Sequence, residues 1–417
     1  MADILPFRPY RYTPKAGALE SLVTQPYDKI SPEMQRRYLE ASPHNFVRII
    51  LGERRAEDSE SNNVYTRAAG YLNDWIAQGI LAPDPEPAYY ACFQEFAVPD
   101  TNETAVRKGL ICLGPVTDYA DGVVYPHERT LRGPKLDRLQ LLRHIRAHTG
   151  QLFLLYSDPQ QAVDQILDAA AAAEPLMETA DEYGVTHRVW RIAEPERTAE
   201  ITRLMADKKL LIADGHHRYE TANAFRRENP ELAAARHAMM TLVNMDAPGL
   251  TILATHRLVH GLDGFTGEGF LARAAAAFSV ERVASADRMK ELLAAAETGR
   301  SRIGVALDGG SKLALLEAAN PNGLLDVAVL HQQVLDALLG IDEEAVREQR
   351  HVGYMRGLAP AVEAVRRGEA QAAFLLPPTS VKQVADISFA GGVMPQKSTD
   401  FYPKLLSGLM LYKMETE

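Results

Sequence analysis

The segment Asp214-Gly215-His216-His217-Arg218 places a carboxylate, a glycine, two imidazoles and a guanidinium in unbroken succession. The apolar run from Lys209 to Ala213 has strand length, and Tyr219, Ala222 and Phe225 follow at helical spacing. A strand that turns through Asp-Gly into a helix, expected to start within two residues of His216, leaves the first backbone N–H groups of that helix without intrahelical partners. With polar side chains beside them, these donors suit an anion, a phosphate first of all. Arg218 adds to the reading, because a cation in the first turn opposes the helix macrodipole unless an anion compensates it. The plainer account, a turn with surface histidines, explains the glycine but not the succession.

Other chemistry-bearing residues stand apart in the sequence. His127-Glu128-Arg129-Thr130 follows a short apolar run, Val123 to Pro126. Glu128 is a candidate general base, with His127 as an anion contact or orienting partner; a solvated loop pair is the bland alternative. Tyr27 and Asp28, in the turn Gln25-Pro26-Tyr27-Asp28, are candidates for lining a pocket. Lys397 and Lys404 bracket a loop with Ser398 and Thr399 and are phosphate candidates, although solvated lysines are the default. His127, Glu128, Asp214, His216 and His217 offer mixed nitrogen and oxygen ligands for a metal. Adjacent helical side chains point about 100° apart, however, so His216 and His217 do not easily share one ion. Neither a Walker A sequence nor a dinucleotide Gly-x-Gly-x-x-Gly motif is present.

The elements that must position these residues alternate between strand and helix patterns, which indicates an α/β or α+β protein. In residues 1–110 the expected elements are a strand over Ile4 to Arg11, a capped helix after Ser31-Pro32, a β-rich run from Phe46 to Leu51, a helix over Tyr65 to Gln78, and paired strands Ala88 to Val98 and Arg107 to Leu113. Residues 111–258 carry the chemistry, with helices over Leu136 to Ala147, Ala162 to Ala173 and Glu194 to Lys208. Strands over Leu152 to Tyr156, Val185 to Ile192 and Ala238 to Asn244 complete this part, and Leu253 to Leu258 contains Thr255-His256-Arg257. Residues 259–417 form a third α/β part, with strands near Arg302 to Leu307, Lys312 to Leu316 and Ala373 to Leu376.

A length of 417 residues allows two or three domains, and 46% hydrophobic residues is ordinary for a globular chain. The formal net charge of −10 argues against DNA or an anionic membrane as a partner, yet leaves room for a local basic pocket. Cys92 and Cys112 are expected to be buried reduced thiols. No apolar leader or membrane-length run is visible, so a cytoplasmic protein is expected.

The chain resembles the uncharacterised prokaryotic DUF family ten-fifteen, some members of which carry a ParB-like label. The resemblance rests on Pro6-Phe7-Arg8, Pro26-Tyr27-Asp28, His127-Glu128-Arg129-Thr130, Asp214 to Ala222, Thr255-His256-Arg257, Lys397-Ser398-Thr399 and Pro403-Lys404. Within it, Gly215-His216-His217-Arg218 is similar to the Gly-x-His-Arg nucleotide-phosphate motif of the ParB/sulfiredoxin superfamily. The Asp-Gly-His-His-Arg form resembles that of its free serine kinases. Glu128, followed by Arg138 to Leu141, resembles in order and type the His-Glu segment and Arg-x-x-Leu helix of those enzymes. His216 stands where sulfiredoxin has a cysteine, so sulfinic-acid repair is not implied.

The resemblance implies a ParB/sulfiredoxin-like nucleotide-binding core with additional N- and C-terminal α/β parts. The expected activity is a nucleotide-dependent phosphotransferase, a small-molecule kinase with an amino-acid hydroxyl among its candidate acceptors. ATP, ADP or another nucleotide would be bound by Gly215, His216, His217 and Arg218, whose cationic groups neutralise phosphate. Glu128 and Asp214 would be catalytic, and Asp214 would hold Mg²⁺. The alternatives are a ParB-like nucleotide switch without DNA binding and a metal-assisted hydrolase. A small-molecule substrate is the expected partner, and a homodimer is compatible with the sequence.

Overall fold

Tyr89–Ala97 and Thr104–Pro115 form a long hairpin whose strands are buried over most of their length. They belong to a mixed eight-stranded sheet in the computed structural model, which describes residues 2–128, 132–295 and 299–414. The strand order is Val124–Tyr125, Leu210–Asp214, Leu152–Tyr156, His237–Asn244, Thr104–Pro115, Tyr89–Ala97, Thr186–Ile192, Met177–Ala180. Leu210–Asp214 runs parallel to Val124–Tyr125 and antiparallel to Leu152–Tyr156. Leu152–Tyr156 runs parallel to His237–Asn244, and the remaining pairs are antiparallel. Strands buried on both faces read as continuous apolar runs, as Leu152–Tyr156 does. Leu154, Leu210, Ile212, Met240 and Leu242 of this sheet pack with Tyr219 and Ala222 of the following helix in one core. Cys92 and Cys112 are buried and free, and burial pushes the Cys92 thiol up to about 12.

The chain divides into two compact units, residues 1–250 with 403–417, and residues 251–402. The divisions expected at 110 and 258 do not coincide with these. Residue 110 falls inside the hairpin strand Thr104–Pro115, and Thr255–Val259 pairs with Val352–Arg356 and Ala372–Leu375 of the second unit. That unit has an antiparallel six-stranded sheet ordered Ser279–Val283, Lys312–Ala319, Arg300–Leu307, Ala372–Leu375, Thr255–Val259, Val352–Arg356. The last residues return to the first unit, where Tyr412–Lys413 pairs with Ala147–His148.

Two local expectations are corrected. Ile4 to Arg11 is not one strand, because Pro6 and Pro9 donate no backbone hydrogen bond. Isolated bridges at Leu5 and Phe7 precede the short strand Tyr10–Tyr12. Phe46 to Leu51 contains a helical turn, Val47–Ile50, despite its β-branched residues. The Asn45 side chain accepts the Val47 N–H at 2.9 Å, and Phe46, Ile49 and Ile50 all reach a core that an alternating strand would have split. Among the described residues no helix is long and apolar enough to cross a membrane.

Candidate functional site

The strand Leu210–Asp214 ends where its register with Leu152–Tyr156 shifts, between Ile212 and Asp214. Gly215 then adopts φ 99° and ψ 26°, and the helix His216–Glu228 begins. A side chain at Gly215 would strain that backbone, and its Cβ would stand 3.1 Å from Leu152 Cδ2 and from Arg218 Nη2. The first rung of the helical ladder is Tyr219 N–H to Gly215 carbonyl. The N–H groups of His216, His217 and Arg218 therefore precede the ladder. The strand–turn–helix stands as the sequence predicts.

Parallel pairing of Val124–Tyr125 with Leu210–Asp214 carries the residues after both strands to the same end of the sheet. His127 and Glu128 thereby meet the turn. The His127 backbone N–H donates to His216 Nε2 at 3.2 Å, and His127 Nδ1 donates to the Ile212 carbonyl at 2.6 Å. The two rings meet edge to face, with centroids 4.5 Å apart. Because His216 Nε2 accepts, its ring proton belongs on Nδ1, which lies 3.5 Å from Glu128 Oε1. Burial, and then the neighbouring His127, push His216 well below the ordinary histidine value. Burial also lowers His127 and His217, against the charge of Glu128. The expectation that His216 and His217 bring positive charge is corrected accordingly. Desolvation favours the neutral imidazole, which can act as a hydrogen-bond donor. Arg129 and Thr130 lie outside the described residues.

The positive charge comes from elsewhere. Arg218 Nη2 donates to Asp214 Oδ2 at 2.7 Å and Nη1 to the Gln151 carbonyl at 2.6 Å. Lys404 Nζ lies 3.4 Å from Asp214 Oδ1. Burial works to raise the Asp214 carboxyl, but Lys404, Arg218 and Lys29 outweigh it and hold the acid well below its usual range. The anion that compensates Arg218 at the helix start is thus Asp214 itself. Arg107, fully buried, also feels the charge of Asp214. Its guanidinium donates to Gln94 Oε1 and the Pro403 carbonyl and stacks 4.4 Å from the Phe153 ring centroid. Burial brings it down to about 9.

A family model described as Protein of unknown function (DUF1015) matches residues 4–338. The chain belongs to that DUF1015 family. No curated protein matches it. Among solved structures, a free serine kinase in complex with AMP is similar at 13% identity, with 70% of this chain and 86% of that chain covered and a TM-score of 0.37. A conserved hypothetical protein from Pyrococcus furiosus is similar at 14% identity over 71% and 92%, TM-score 0.36. C-terminally truncated SbnI from Staphylococcus aureus is similar at 11% over 71% and 85%, TM-score 0.35. Likeness at this level assigns neither a detailed fold nor an activity.

In this DUF1015 member, Tyr27 joins the turn. Its ring centroid lies 4.2 Å from the Arg138 guanidinium, and the charges of Arg218 and Asp214 act on it. Asp28 is exposed and acts on both Tyr27 and His217. An open cleft of about 580 Å³ lies alongside, lined by Tyr27, Arg138, Leu141, Leu152, Arg218 and Thr221. The Thr221 hydroxyl is buried with no hydrogen-bond partner among the described residues. Glu128 is not part of this lining. Lys397 belongs to the second unit, in the segment before Asp400–Tyr402.

Sequence reading missed Lys29, Arg107 and Gln151. Lys29 follows Asp28 directly and was there to be found. Arg107 in an apolar strand offered a weak signal, and the Gln151 carbonyl offered none. Among the described residues, no group of three or more His, Cys, Asp or Glu is placed to hold a metal.

Proposed function

We propose that this protein is a nucleotide-dependent phosphotransferase acting on the hydroxyl group of a small metabolite, an amino-acid hydroxyl among the candidates, with a ParB/sulfiredoxin-like core. The carrying observation is the turn itself. Arg218 and Lys404 meet Asp214 where the helix from His216 starts, and Glu128 lies 3.5 Å from His216 Nδ1.

The residues present fit a phosphate chain. Backbone donors at a helix start, two fixed cations and a glycine without a side chain suit a phosphate oxygen. Leu141 and Leu152 offer an apolar wall for a nucleoside in the open cleft beside Arg218. A bound nucleoside triphosphate would supply the transferable phosphoryl group. Arg218 and Lys404 would neutralise charge on it, His217 would donate a hydrogen bond from its ring, and His216 would contribute its backbone N–H. Glu128 would accept the proton of the acceptor hydroxyl, oriented by the Nδ1–H of His216. Tyr27, Asp28, His127 and Lys397 are further candidates for contacts to phosphate or substrate. Phosphoryl transfer depends on positioning and charge neutralisation, which these residue types supply. Asp214 would hold Mg²⁺ only by giving up part of its contact with Arg218 or Lys404. On this reading the partner is a small molecule rather than DNA or a membrane, the compartment is the cytoplasm, and a homodimer is compatible.

The test is calorimetric titration with ATP and ADP, with and without Mg²⁺, followed by a phosphate-transfer assay over hydroxyl metabolites. Saturable binding with turnover supports the kinase. Binding without turnover supports the nucleotide switch, and the absence of binding sinks both. Metal analysis of the purified protein addresses the hydrolase alternative.

A further inference from the structure

The second unit carries a buried arginine with a different environment. Arg257 lies within the strand Thr255–Val259, between Val352–Arg356 and Ala372–Leu375, and is 1% exposed. Its Nη1 donates to the Thr255 carbonyl and its Nη2 to the Gln396 carbonyl, the latter at 3.1 Å. The Tyr354 ring centroid lies 5.3 Å from the guanidinium. These partners are neutral, and among the described residues Arg257 is in no ion pair. Among the described residues its Nε–H is buried without an acceptor, and Tyr354 OH and His331 Nε2 are buried without partners of their own. Burial, and then the charge of Arg257, push His331 down to about 3, so this neighbour is neutral. A charge removed from water and met only by carbonyl dipoles is expensive.

The same arginine lines a cleft of about 320 Å³ with Thr255, Asp326, Thr379, Gln383 and Ser398. Gln383 belongs to the first turn of the helix Val381–Phe389, an end that carries partial positive charge. Asp326 is the acid of this lining. Its Oδ1 accepts the Arg302 backbone N–H at 3.1 Å and the Ser301 hydroxyl, and it is not paired with Arg257.

We propose that this cleft binds a small oxyanion, a phosphate or carboxylate group, through the Nε–H and charge of Arg257, with Thr255 and Gln383 completing the contacts. An oxyanion would supply the acceptor that Nε lacks and the negative charge that its carbonyl partners lack. The inference does not depend on the proposed kinase activity. The competing account is that Arg257 only ties its strand to the segment at Gln396.

The two accounts separate by nuclear magnetic resonance of the full chain labelled with ¹⁵N-arginine. The Arg257 Nε–H signal, assigned by its loss in Arg257→Lys, is followed during titration with sodium phosphate and, separately, sodium acetate. Sodium chloride serves as the ionic-strength control. A saturable shift is expected in at least one of the first two arms and not with chloride, and the responding arm identifies the anion class. Asp326→Asn keeps an acceptor for Ser301 and Arg302 but removes the opposing charge, so it should tighten binding severalfold. Thr255→Val and Gln383→Ala should weaken it severalfold, and all three changes avoid the buried arginine. The proposal is overturned by the absence of a shift in both arms, by a non-saturating shift shared with chloride, or by affinities unmoved in all three variants.

Discussion

Arg218 and Arg257 are both largely withdrawn from water, and their charges are met in different ways. Arg218 stands four residues beyond Asp214, and the strand–turn–helix path brings guanidinium and carboxylate to 2.7 Å. Arg257 lies in a strand, where its partners are the Thr255 and Gln396 carbonyls. The first arginine brings its counter-ion with it, so a phosphate bound at the turn would have to share Arg218 with Asp214. Among the described residues the second lacks a counter-ion, so an anion bound there would add what the fold leaves out. A buried cation is therefore informative about ligands only once its partners are known.

The sharpest test of the paired site is Glu128→Gln. It should lower phosphate transfer by roughly 10²–10⁴-fold, the usual range for a lost general base, while nucleotide affinity stays near wild type. Wild-type turnover in this variant would leave the turn as a binding element only. Arg218→Ala should cost about 1.5–3 kcal/mol of nucleotide binding, read by calorimetry, because a charge-assisted hydrogen bond is lost. Unchanged affinity would mean that Arg218 serves only Asp214 and Gln151.

Asp214→Asn would make the turn resemble the Arg257 site. It should destabilise the fold by about 1–3 kcal/mol in urea unfolding, yet strengthen binding of inorganic phosphate. If phosphate binding does not rise, the contrast between paired and unpaired cations breaks. The Asp214 acid is held below its unfolded value, so its contribution is present above the ordinary aspartate range and is lost as pH falls through the lowered value. The gap between wild type and variant should thus persist through mild acid and close in strong acid.

Gly215→Ala should cost about 1–2 kcal/mol, since φ 99° is strained for alanine and Leu152 and Arg218 must move. The smallest effect is expected from the histidines. His127 and His216 are depressed by burial, so on acidification the unfolded chain takes up protons that the native state refuses. Stability should begin to fall as pH drops below about 6.5, and His216→Gln should flatten that slope. An unchanged slope would assign the acid sensitivity to other groups.

Much of the local structure was legible. Leu210–Asp214, Gly215 and the helix from His216 follow from an apolar run, an Asp-Gly turn and helical spacing, all of which act over a few residues. Leu152–Tyr156 and the Tyr89–Pro115 hairpin were legible for the same reason. Phe46 to Leu51 was misread because β-branched residues favour strands only weakly, and a core that needs several of them at once can override the preference.

The sequence alone determined which residue types were available at the turn, and that a helix start with a glycine before it would present backbone donors. Tertiary structure decided their charges and partners. Parallel pairing with Val124–Tyr125 brought Glu128 to His216, the returning C-terminal segment brought Lys404 to Asp214, and burial removed the positive charge expected of the histidines. Backbone conformation depends largely on neighbours along the chain. Protonation and ion pairing depend on distance through space and on exclusion of water, which are fixed only when the sheet has its strand order.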